Sequence, residues 1–66
     1  MTEKISKVIV NKAIDSLVQT NVPVITIKDV ANRAIKMTGI DIPDDTTKEY
    51  GLLLAKVELS KRWGSL

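Results

Sequence analysis

The sequence predicts an all-α fold, a small domain of three helices. Apolar residues recur at helical spacing in three separate stretches. Asn21-Val22-Pro23 and the run from Gly39 to Asp45 interrupt that spacing twice, and helix-capping residues stand where the second and third stretches open.

The first helix is expected over about residues 3–19. Ile5, Val8, Ile9, Ala13, Ile14, Leu17 and Val18 share its apolar side, while Lys4, Lys7, Asn11 and Asp15 fall together on a polar side. Val22 to Ile25 are compatible with a brief extended piece. The second helix is expected over about 27–38, because Thr26 can accept hydrogen bonds from the first free backbone N–H groups and Asp29 complements the positive helix start. Ile25 stands where it can staple against Val30, and Gly39 suits a left-handed cap at the far end.

A turn-rich connector follows, and Thr46-Thr47-Lys48-Glu49 reads as a capping box opening a third helix over about 47–63. This helix has two apolar sides. Tyr50, Leu53, Leu54 and Val57 cluster on one, and Leu52, Ala55, Leu59 and Trp63 near the other. One side is needed for the domain's own core; the other must be covered by the first helix, a second copy or a partner. Gly51, costly inside a helix by about 1 kcal/mol relative to Ala, marks a close helix crossing.

A chain of 66 residues is read as one domain, 1–66, with a thin core. Domains this small bury only about 60% of the surface exposed on unfolding, so they depend on cross-links, metals, self-association or regular helix packing. With neither Cys nor His in the sequence, disulfides, zinc clusters and imidazole-based catalytic triads are excluded. The three glycines are isolated and form no phosphate-cradling loop. Asp41, Asp44 and Asp45 match no calcium-loop spacing and read as an exposed turn charging the start of the third helix. Neither catalysis nor a cofactor or metal is therefore expected. No apolar run approaches the ~18 residues of a membrane span and no secretion-signal pattern opens the chain, so a cytoplasmic protein without a membrane partner is expected. The net charge of +2 allows a nucleic-acid partner without demanding one, and a single Trp and a single Tyr offer little platform for stacking single-stranded bases.

Ile25-Thr26-Ile27-Lys28-Asp29-Val30-Ala31 resembles the opening helix of helix-turn-helix regulators of the LacI and MerR kinds. In those families a Thr cap and a Val-Ala pair precede a glycine-containing turn and a recognition helix. The resemblance implies a helix-turn-helix-like DNA-binding regulator. Thr26 to Ala34 would be its positioning helix, and the segment from Thr47 onward would lie in the major groove.

Two functions follow as expectations. The first is a small homodimeric regulator binding double-stranded DNA through Lys28, Arg33, Lys36, Thr47, Lys48, Lys4 and Lys7. The second is an accessory or adaptor subunit that docks on a larger protein through Leu52, Ala55, Leu59 and Trp63, with the Trp as anchor.

Overall fold

The computed structural model describes residues 5–64, and among these the chain forms α1 (Lys7–Gln19), α2 (Ile27–Met37) and α3 (Asp45–Trp63), with no strand. The predicted all-α three-helix domain is therefore observed. The stretch 22–25, compatible in sequence with a brief extended piece, forms no strand and bends at 23 and 24 between α1 and α2. It lacks a neighbouring strand to pair with, and a lone extended segment gains no ladder hydrogen bonds.

Each helix starts on a side-chain acceptor. The Ser6 hydroxyl accepts from the Ile9 N–H at 3.4 Å, the Thr26 hydroxyl from Asp29 N–H at 3.1 Å, and the Asp44 carboxylate from Thr47 N–H at 2.8 Å. The Thr26 cap is the expected one, and Ile25 packs against the core cluster that contains Val30. The other two starts differ from expectation. α1 begins at Lys7 behind Ser6, which leaves Ile5 ahead of the helix; of the expected start, residues 3 and 4 lie outside the described part. α3 begins at Asp45, two residues before its expected start, because Asp44 and not Thr46 is the cap. An aspartate caps at least as well as a threonine, its charge complements the helix dipole, and Pro43 immediately before it disfavours extending the helix further back. The same hydrogen bonds from Thr47 hold the Asp44 carboxyl below its ordinary pKa.

The helix ends follow glycine-type chemistry. Asn21 sits in the left-handed region at φ +58°, Val22 N–H donates to Leu17 O at 3.3 Å, and Asn21 N–H donates to Val18 O at 3.1 Å. That pair of bonds is a Schellman closure with Asn in the position usually held by Gly. Gly39 takes φ +82° after α2, as its place in the sequence suggests.

The core is built from one stripe of each helix. α1 contributes Val10, Ala13, Ile14 and Leu17, α2 contributes Val30, Ala31, Ala34 and Ile35, and Ile5 reaches in from before α1. The buried stripe of α3 is narrower: Gly51, Ala55, Glu58 and Leu59. α2 packs most extensively on α3, and Gly51 is buried at that contact, although the approach there is not so close as to require a glycine. A Cβ there would lie 3.4 Å from Ile5 Cδ1 and 3.7 Å from the Ala31 Cβ. α1 and α3 run in the same sense, since Ile5 lies by Gly51, Asn11 by Glu58 and Asp15 by Arg62.

The cap assignments are open to direct test. Thr26→Ala is expected to cost about 1 kcal/mol. Asp44→Ala should also lower the thermal midpoint, whereas Thr46→Ala should behave as a neutral surface change, within about 0.5 kcal/mol. Thermal unfolding followed by circular dichroism reads all three; a larger loss at Thr46 than at Asp44 would return the cap to the threonine.

Candidate interaction surface on the third helix

The surface of α3 follows from the narrowness of its buried stripe. Because the stripe that meets α2 is built on small residues at 51 and 55, the larger apolar side chains of α3 other than Leu59 flank the contact or point away from it. Leu53 is 57% exposed and Val57 38%, while Tyr50 and Leu54 are half-buried and packed against the edge of the core. These four residues stand at i, i+3, i+4 and i+7, a continuous apolar ridge along the helix. On the other flank Leu52 is 41% exposed and Trp63 55% exposed.

This reverses part of the adaptor expectation. Of Leu52, Ala55, Leu59 and Trp63, the structure buries Ala55 and Leu59 in the core, and only an edge of Leu59 lines the surface. Ala55 has the smallest side chain of the apolar positions on the helix, so the side carrying it allows the tightest packing and becomes the inner one. The side left without a partner is the one that carries Leu53 and Val57. Trp63 keeps a surface role by a different route: with Val22, Pro23, Ile25 and Leu59 it lines an open groove of about 310 Å³ between the end of α3 and the α1–α2 bend.

The candidate nucleic-acid residues are dispersed. Arg33 and Lys36 line one shallow groove of about 240 Å³ with Asn32, Leu17 and Asp29, which places a carboxylate among the cations. Lys28 is exposed near the start of α2 and does not line that groove. Thr47 and Lys48 occupy the first turn of α3 beside Asp44, Asp45 and Glu49, with the Thr47 N–H already committed to Asp44. Lys7 opens α1 and acts electrostatically on Glu58. Lys4 lies outside the described residues. The connector 38–44 between α2 and α3 is longer than the 3–4-residue turn of a helix-turn-helix unit.

A polar cluster that the sequence does not announce joins α1 to α3. The polar side of α1, expected to face solvent, instead supplies Asn11 and Asp15 to the seam. The Asn11 Nδ2 donates to Glu58 Oε1 at 2.9 Å and to Lys7 O at 2.9 Å, and its Oδ1 accepts from Arg62 Nε at 3.2 Å. Arg62 also pairs with Asp15 at 2.8 Å. Glu58, 5% exposed, has Lys61 3.4 Å from its second oxygen, an ion pair between neighbours on the same helix. The Asn11 hydrogen bond first, then the nearby charges of Lys61 and Lys7, hold the Glu58 carboxyl below its ordinary value of 4.5 despite the opposing effect of desolvation. Within the sequence, only the i+3 and i+4 spacing of Lys61 and Arg62 from Glu58 hints at this; the partners on α1 are distant in the chain. The cluster joins α1 to α3, and none of its residues lines either groove described above.

The fold and the ridge define the chain as a small all-α three-helix domain with an apolar helical surface. Comparison with known proteins finds no matching family model, no matching curated protein and no matching solved structure.

The seam predicts a pH dependence. A carboxyl whose pKa is lowered on folding adds stability that is fully present above its unfolded value and is lost as pH falls through the lowered one. The chain should therefore weaken below about pH 4.5. Glu58→Gln should be less stable than the parent at pH 7 and converge on it in acid. Asn11→Ala should cost about 1–3 kcal/mol by stranding the shielded carboxylate. Chemical denaturation at pH 3.5 and pH 7 checks both, and an unchanged pH profile in Glu58→Gln would remove Glu58 as its source.

Proposed function

We propose that this chain is a non-catalytic docking module that binds protein through the outward ridge of α3. The observation that carries the reading is the exposure of Leu53 and Val57 on a helix whose opposite side is already filled by the core. Large apolar side chains at helical spacing, left in water along one side of a helix, are what helix-to-helix and helix-in-groove recognition uses. The Trp63 groove is a second apolar feature on the same helix, and Trp is a frequent anchor at interfaces.

The test separates a binding face from a folding face. Leu53→Glu with Val57→Glu should leave helicity and unfolding free energy within about 0.5 kcal/mol of the parent, because neither residue is core. The immobilised parent should retain a protein that this folded variant does not. Loss of helicity would return the ridge to the core, and equal retention by both chains would move binding elsewhere.

DNA binding is the second reading, favoured by one observation: Arg33, Lys36 and Asn32 share a groove between α2 and the end of α1, as backbone-phosphate contacts would require. The acidic start of α3 counts against insertion of that end into a major groove, where Asp44, Asp45 and Glu49 would approach phosphates. If the reading holds, Arg33→Ala with Lys36→Ala should weaken binding to random duplex DNA and reduce its salt slope. Fluorescence anisotropy at low and moderate salt measures this, and the docking reading expects no salt-sensitive binding from the parent.

A further inference from the structure

We infer that the occupant of the α3 ridge is the same ridge of a second copy of this chain, paired antiparallel about a two-fold axis that passes between Leu53 and Leu54. The inference rests on the docking reading and adds the partner.

Its basis is that the ridge, taken with the charges beside it, is complementary to itself in only one direction. In an antiparallel pair centred between Leu53 and Leu54, Tyr50 faces Val57 of the other copy and Leu53 faces Leu54, so large side chains meet large ones in every layer. The flanking charges follow the same symmetry. At roughly 100° per residue, Glu49 and Lys56 lie on one flank of the ridge, while Lys61 stands in line with it, one turn beyond Val57. A two-fold axis perpendicular to both helices brings like flanks together, so Glu49 of each copy meets Lys56 of the other, twice per dimer. Glu49 and Lys56 are both exposed, and neither forms an ion pair among the described residues. A parallel pair would bring opposite flanks together, leaving Glu49 without Lys56 of the other copy, and would set Lys61 at the end of the ridge against its own counterpart, which is repulsive. The contact is isologous, so it closes at two copies and does not propagate into a filament.

Self-association also answers the constraint of size. A domain of this length has a thin core, no disulfide and a helix that carries more apolar surface than its own fold covers. Pairing two ridges removes that surface from water in both copies at once.

The test is sedimentation of the full 66-residue chain from micromolar to millimolar concentration, with charge variants. The parent should show a concentration-dependent monomer–dimer equilibrium. Glu49→Lys and Lys56→Glu should each weaken it by about five- to tenfold, as exposed pairs turned from attractive to repulsive do. An equimolar mixture of the two variants should regain parent-like association as a heterodimer, because each copy then supplies the charge that the other needs. The doubly exchanged chain, Glu49→Lys with Lys56→Glu, should pair like the parent. A parent that stays monomeric at millimolar concentration overturns the self-pairing, while the docking reading stands or falls on the folding of the Leu53→Glu, Val57→Glu variant. A dimer that is indifferent to the charge variants, or that the mixture fails to restore, overturns the antiparallel arrangement.

Discussion

The packing of the narrow small-residue stripe of α3, Gly51 and Ala55, on α2 governs the rest of the molecule. With no Cβ at 51 and only a methyl at 55, α3 meets Ala31 and Ile35 almost backbone to side chain, and Ile5 closes the contact from before α1. Such a contact is dense but narrow. It fills the interior with small residues and the branched side chains of α1 and α2, and it consumes little of the apolar surface of α3. The ridge of Tyr50, Leu53, Leu54 and Val57 stands outside because the tightest packing lies on the other side of the helix.

The third side of the bundle is held differently. α1 and α3 meet above the core through Asn11, Glu58, Arg62 and Asp15, a polar seam in which one amide links a carboxylate and a guanidinium. Hydrogen bonds of this kind are directional where apolar contacts are not, so the seam fixes the register of α1 against α3. It also restrains the rotation of α3 about its own axis. Glu58 must face α1 for the seam to form, and that orientation turns Leu53 and Val57 outward. The core and the polar cluster thus agree on which residues of α3 solvent sees.

Much of the fold was legible locally. α2 was read nearly to its ends because Thr26, Asp29 and Gly39 act on backbone groups within a turn of themselves. The start of α3 was misread for a local reason as well: Asp44 and Thr46 are both competent caps, and propensity alone does not choose between neighbours. The candidate surface was only half legible. The two apolar sides of α3 were visible in the spacing, but which one turns inward depends on residues of α1 and α2 that the spacing does not place. The seam was invisible, since Asn11 and Glu58 are far apart in the chain and look like two solvated side chains.

The sequence by itself determined three helices, their approximate ends, the absence of cysteine and histidine chemistry, and the presence of more apolar surface on α3 than one small core needs. Those properties reside in periodicity, capping and composition, which act over a few residues. Only the tertiary structure decided that Ala55 and Leu59 are core, that Leu53 and Val57 are surface, and that the polar side of α1 is a seam. The rotation of a helix about its axis is set by which of its faces packs most tightly against others, a comparison made between helices and not within one.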